Sequence, residues 1–216
     1  MKKSVIAATL FSSILPVSSV LADNSISTNL GITSNYIWRG VTQSDDGISV
    51  SAGADYANDS GFYAGTWTAS VDFNDDTNFE YDLYAGYQTD IGGVNIDLGY
   101  LYYGYQGGED LDFSELYVRT SFNNLTLALS TLVDNDTDGD FGDTKYYEAS
   151  YSFPLAHDIS LDFHAGHYNL PNDNDYNDFN LAVSKSGFTL MYSRVSGNDD
   201  LDDNLIALSY SKSFEF

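Results

Sequence analysis

Phe79-Glu80-Tyr81-Asp82-Leu83-Tyr84-Ala85-Gly86-Tyr87-Gln88, followed after a turn by Val94-Asn95-Ile96-Asp97-Leu98-Gly99-Tyr100-Leu101-Tyr102-Tyr103, is the stretch on which the fold turns. In the first run Phe79, Tyr81, Leu83, Ala85 and Tyr87 alternate with Glu80, Asp82, Tyr84, Gly86 and Gln88. In the second, Val94, Ile96, Leu98, Tyr100 and Tyr102 alternate with Asn95, Asp97, Gly99, Leu101 and Tyr103. A period of two places successive side chains on opposite faces of a strand, so each run has one apolar face and one mixed face. The same rhythm recurs outward in both directions. It predicts strands over 25–39, 47–57, 61–72, 78–89, 94–103, 113–122, 124–133, 144–153, 159–168, 177–185, 187–195 and 205–216.

Alternation alone is equally compatible with a soluble sandwich, whose apolar residues face inward. The connections separate the two folds. Tight links (58–60, 90–93, 123, 154–158 and 186) alternate with longer ones (40–46, 73–77, 104–112, 134–143, 169–176 and 196–204). Short turns at one end and long loops at the other are the pattern of outer-membrane barrels. Apolar-face aromatics also gather in two bands. Tyr56, Tyr63, Tyr87, Phe122, Phe153, Phe188 and Phe216 fall at the short-turn ends, and Trp38, Phe79, Tyr102, Tyr147 and Tyr192 near the long-loop ends. Rings at these two heights suit lipid–water boundaries. The expected fold is an all-β, transmembrane, antiparallel up-and-down β-barrel of about 12 strands.

The ends of the chain agree with that fold. Lys2 and Lys3, the apolar run 4–21 and the small-residue pattern ending at Ala22 read as a secretory signal peptide over 1–22, with the barrel spanning 23–216. Removing it takes two lysines, so six basic residues face 32 acidic ones, a formal charge of −26. That surface repels nucleic acid. The chain has no cysteine, which excludes disulfide scaffolds and thiolate metal sites. The last predicted strand carries Ile206, Leu208, Tyr210, Phe214 and Phe216 on its apolar face. A terminal aromatic on an alternating strand is the feature expected to engage the outer-membrane assembly machinery, through Phe216.

In a channel, function rests on lumen-facing groups. Parity assigns Arg39, Glu80, Asp82, Asp97, Glu115, Arg119, Glu148, Asp162 and Asp178 to the inner face as pore-lining residues. Most of their neighbours there are small and polar. Twelve strands fall between small barrels filled by side chains and large ones that hold water. A narrow pore is therefore expected, with the alternative that charges pair and close it, Arg39 with Glu80 and Arg119 with Glu115. Lys145 and Arg194 lie on the apolar face near the long-loop ends, where they suit lipopolysaccharide phosphates or snorkelling to water. Asp134, Asp136, Asp138 and Asp140 open like a calcium loop, but Lys145 stands where the bidentate Glu should be. An acidic, solvated loop is the better reading, and no metal or cofactor is expected. His167 is the one histidine placed for chemistry on lipid, yet its face shows no Ser partner or orienting acid. No enzymatic activity is expected.

Several segments resemble the TorF-type porin family: Asn35-Tyr36-Ile37-Trp38-Arg39-Gly40 with Val41-Thr42-Gln43-Ser44, Ser60-Gly61-Phe62-Tyr63-Ala64-Gly65-Thr66-Trp67, Tyr81-Asp82-Leu83-Tyr84-Ala85-Gly86-Tyr87 and Ser114-Glu115-Leu116-Tyr117-Val118. The likeness is strong over about 29–122 and weaker beyond. It implies a Gram-negative outer-membrane location and a passive channel, and supplies no substrate. The combined expectation is a pore for small hydrophilic solutes that prefers cations, because acids dominate the inner face and 18 of the 32 acidic residues lie in the long loops. The alternative is a narrow or closed barrel whose acidic loops serve adhesion or envelope integrity.

Overall fold

The computed structural model describes residues 24–216 apart from 138, 199, 200, 202 and 203; the segment 1–22, expected from the sequence to be a signal peptide, lies outside the described residues. Twelve long strands form a closed antiparallel barrel. They are β1 (Ser25–Thr33), β4 (Ser49–Ala57), β5 (Phe62–Ser70), β6 (Phe79–Ile91), β7 (Val94–Gln106), β8 (Phe113–Phe122), β9 (Leu125–Asn135), β10 (Lys145–Pro154), β11 (Ile159–Asn169), β12 (Tyr176–Lys185), β13 (Phe188–Ser196) and β14 (Asn204–Glu215). Each pairs with its sequence neighbours, and β1 closes the ring against β14 from Ser27↔Glu215 to Thr33↔Ser209. Closure leaves no strand edge unpaired, the condition for a sheet to sit in lipid. None of the described helices is long and apolar enough to cross a membrane.

The tight turns are built from residues that tolerate positive φ. Gly92 and Gly93 (65° and 85°) join β6 to β7, and Ser186 with Gly187 (52° and 86°) joins β12 to β13. Two consecutive positive φ values give the turn whose twist matches a hairpin. Outward positions carry the apolar residues. Leu30, Ile32, Leu83, Leu98, Leu181, Leu190, Ile206 and Leu208 are all exposed around the wall. A continuous apolar band of this kind is a liability in water and matches the lipid-facing belt of a membrane barrel.

The structure corrects the sequence reading in two places. The first strand does not run to residue 39. It ends at Thr33, and the chain turns inward as a two-residue hairpin, β2 (Ile37–Trp38) and β3 (Val41–Thr42). Local hydrogen bonds compete with the ladder here: Thr33 Oγ1 donates to the Asn35 carbonyl at 2.8 Å, and the Ser44 hydroxyl accepts from the Tyr36 amide at 2.9 Å. Trp38 therefore packs inside the barrel against Tyr103, Phe113 and Tyr168, not in the outer aromatic band. Tyr63 likewise faces inward. In β5 the register pairs the exposed Phe62 with the exposed Tyr87, which turns Tyr63, Trp67 and Ala69 to the inside. Each face of this strand carries apolar groups, Phe62 and Ala64 outward and Tyr63, Trp67 and Ala69 inward, so its parity could not be read from composition.

Candidate functional site

Hairpin β2–β3 braces the lumen. Its turn, Arg39 (φ 47°) and Gly40 (φ 84°), reaches across the barrel. Arg39 Nη1 and Nη2 donate to the two carboxylate oxygens of Glu115 on β8, at 2.8 and 2.7 Å. Both side chains are almost fully buried. Around the guanidinium stand Trp38, Tyr146 and Tyr168, with ring centroids 4.3, 4.2 and 4.7 Å away. A planar cation on a bidentate carboxylate, flanked by aromatic rings, combines the two strongest arrangements open to arginine. Gly40 presses on the opposite wall. A Cβ there would lie 2.6 Å from Val195 Cγ2 and 2.7 Å from Asp178 Cβ. At the near end of the hairpin, Tyr36 packs edge-on against Trp67 at 5.5 Å and donates to Glu80 Oε1 at 3.1 Å.

Around this brace and beyond it the inner wall is dense with tyrosine. Tyr63, Tyr103, Tyr117 and Tyr146 are buried, and Tyr63 hydrogen-bonds both Asp97 (2.6 Å) and Tyr117. Tyr84 bonds Asp55. Glycines make room for these rings: a Cβ at Gly99 would collide with the Tyr117 ring, and one at Gly65 with Tyr84. The inner face is thus less open than its many small residues suggest. The signal was available in the inward parity of Tyr84, Tyr103, Tyr117 and Tyr146, although it did not reveal how the rings fold over.

All nine residues assigned to the inner face lie inside the barrel, but their partners differ from those expected. Arg39 meets Glu115, not Glu80, because the hairpin sets Tyr36 over Glu80 and carries Arg39 three residues farther across. Arg119 does not meet Glu115. The two are four residues apart on β8, about 13 Å along an extended strand. Arg119 instead lies 4.0 Å from both Asp97, its direct cross-strand partner, and Glu148. Asp162 accepts from Ser160 at 2.8 Å and from Ser152. Asp178 lies 3.0 Å from His164 Nε2 and accepts from Tyr146 Oη at 2.9 Å.

Glu80 and Asp82 lie together on one face of β6, and Asp82 stands apart from the other inner acids in having both oxygens without a donor. They are 1% and 0% exposed, and Glu80 Oε2 and both Asp82 oxygens have no hydrogen-bond donor. Among the described residues, no Arg, Lys or His forms an ion pair with either.

Ser150, His164 and Asp178 form a string, with Ser150 Oγ 3.0 Å from His164 Nδ1. Parity placed His164 in the lumen but did not reveal these partners. Ser150 is paired on both sides, to Thr126 and to His164. Its backbone is therefore committed to the ladders and supplies no oxyanion-binding group. His167 bonds Asn177 at 3.0 Å and stacks on Tyr147. Lys145 and Arg194 both project from the outer face near the long loops, and Lys145 Nζ donates to the Gly142 carbonyl at 2.5 Å.

The described acids of the loop after β9 lie apart from one another. Asp134 is in the strand, Asp136 accepts from the Asp112 amide, and Asp138 lies outside the described residues. No cluster of three metal-ligating side chains forms among the described residues. Two loop carboxylates are held below the usual range by local hydrogen bonds. Asp175 is lowered by the Leu170 amide and the Asn169 side chain, and Asp75 by Thr77.

No curated protein matches the chain by sequence. Among solved structures, it resembles KdgM porin at 9% identity, covering 89% of this chain and 99% of that one with a TM-score of 0.56. The same figures hold for KdgM porin in complex with disordered oligogalacturonate. NanC porin matches at 13% identity over 87% of this chain and 97% of its own, with a TM-score of 0.48. The likeness to KdgM is one of fold: a closed barrel with nearly the same length of chain. A family model matches residues 20–206, and the chain belongs to that family, described as a bacterial protein of unknown function (Gcw_chp).

Proposed function

We propose that this protein is a Gram-negative outer-membrane channel for small hydrophilic solutes, cation-preferring, whose lumen is constricted by hairpin β2–β3. The observation that carries this reading is the imbalance of inward charge in a closed barrel. Among the described residues, Asp55, Glu80, Asp82, Asp97, Glu115, Glu148, Asp162 and Asp178 face Arg39, Arg119 and His164 as the inward basic groups. Fixed negative charge along a narrow path concentrates cations and repels anions, and the effect fades as salt shortens the screening length. The porin fold of the KdgM neighbours and the resemblance to TorF-type porins support the location and the passive mode. An acidic sugar chain such as the one bound by KdgM porin is a poor fit to this lumen. Lys145 and Arg194 are proposed to meet lipopolysaccharide phosphates, and Phe216 to engage the assembly machinery.

Single-channel recording of refolded protein tests the reading. In a salt gradient the reversal potential should take the sign for cation preference and shrink as salt rises. A zero or opposite potential refutes the preference. A second reading is favoured by the Arg39–Glu115 clamp, which crosses the lumen out of contact with water. If no conductance is seen under any condition, a closed barrel serving envelope integrity is the better account.

A further inference from the structure

We propose that Glu80 and Asp82, beneath Tyr36, form a binding site for an organic cation that carries N–H donors, a guanidinium or primary ammonium. The proposal deepens the cation-preferring reading by naming a site and a ligand class. It needs the two acids to face the lumen and does not need the lumen to conduct.

The lumen already contains one example of the chemistry. Glu115 holds the Arg39 guanidinium in bidentate fashion, with Trp38, Tyr146 and Tyr168 around it. The Glu80 and Asp82 locus repeats the receptor half of that arrangement. Asp82 lies between Trp67 and Tyr103 in the sheet, and Glu80 between Ala69 and Tyr105. Tyr36 covers them from the hairpin. Among the described residues, no basic side chain of the protein stands at this second locus as Arg39 does at the first.

Electrostatics makes the difference matter. Unpaired carboxylates are expensive to bury, and other inner acids reduce the cost: Glu115 takes Arg39, Asp178 takes His164 and Tyr146, and Asp162 takes two serine hydroxyls on one oxygen. Asp82 has no donor at either oxygen, and Glu80 has only neutral tyrosine hydroxyls, those of Tyr36 and Tyr105. The acids are two residues apart on one face of β6, so their backbones are about 7 Å apart along the strand. A ligand with several N–H groups can reach such separated acceptors, and aromatic neighbours favour a weakly hydrated organic cation over a strongly hydrated metal ion. Tyr36 must yield for the ligand to enter, and its hydroxyl occupies the acceptor that the ligand would use.

The test is a titration of refolded protein in detergent with methylguanidinium chloride, followed by tryptophan fluorescence, with sodium chloride at equal ionic strength as the control. Trp38 and Trp67 are the two tryptophans of the chain, and Trp67 is the cross-strand neighbour of Asp82. A saturable change should appear with methylguanidinium and not with sodium. The double variant E80Q/D82N should weaken it at least about tenfold, the scale of one lost charge-assisted contact. Tyr36→Phe removes the competing hydroxyl and should tighten binding about twofold to tenfold. An equal response to sodium, or unchanged affinity in the double variant, overturns the proposal. If the double variant does not fold, Tyr36→Phe decides, and unchanged or weaker binding in it overturns the proposal. Binding without conductance would remove the channel reading and leave the site standing; conductance without binding would remove the site alone.

Discussion

Arg39→Ala should release the hairpin from the lumen. The substitution removes two hydrogen bonds of 2.8 and 2.7 Å and three ring contacts, and leaves Glu115 buried with only the distant Tyr103 hydroxyl, 3.5 Å away. Removing one partner of a buried ion pair costs about 3–5 kcal/mol, because the other charge is stranded. That penalty falls on the docked state alone, since undocking lets water reach Glu115. At tenfold per about 1.4 kcal/mol, the docked-to-undocked ratio should fall by about two to three and a half decades. The chain has no cysteine, so a single one at Val41, which packs against the Tyr146 and Tyr168 cluster, reports hairpin exposure. Maleimide labelling of Val41→Cys should accelerate by a comparable factor in the Arg39→Ala background, and bilayer recordings should show longer high-conductance dwells. The double change R39M/E115L should slow labelling again, because apolar groups of similar volume relieve the stranded charge. Labelling within twofold of the parent, in protein that still shifts on a gel when boiled, would refute the view that this clamp holds the hairpin in place.

Three further outcomes are expected. Gly40→Ala leaves every charge intact but places a Cβ against Val195 and Asp178 at a φ of 84°; a cost of about 1–3 kcal/mol should speed Val41→Cys labelling tenfold or more, and no change would mean the turn can shift freely. Deleting Phe216, whose amide donates to the Ile26 carbonyl at 2.9 Å, should lower outer-membrane assembly more than Glu215→Ala, and equal losses in a heat-shift assay would contradict the proposed role of the terminal ring. Asp175 has a folded-state pKa below its ordinary value, so its contribution is present above the unfolded pKa and is lost as pH falls through the folded one. The Leu170 amide resonance should therefore titrate with a midpoint below the usual carboxylate range and stop titrating in Asp175→Asn; a midpoint at or above that range would contradict the 2.7 Å bond to Asp175 Oδ1.

The strand count, the closed antiparallel barrel and the inward parity of Glu80, Asp82, Asp97, Glu115, Arg119, Glu148, Asp162 and Asp178 were legible in the sequence. Each follows from a period of two and from the alternation of short and long connections, which are local properties of an extended chain. Parity misled at Tyr63, where both faces of β5 carry apolar groups, and at 34–39, where alternation continues but the backbone leaves the wall. Partner choice was not legible. Arg39 and Glu115 are brought together by an inward hairpin, and Arg119 and Asp97 by register, both long-range results of closure. Burial was not legible either: the same carboxylate is cheap in a water-filled pore and costly under a tyrosine. Where alternation sets an apolar face against a polar one, sequence determines which face a side chain takes; only the closed tertiary structure decides what stands opposite it, because the far wall of a barrel is set by the pairing of all twelve strands at once.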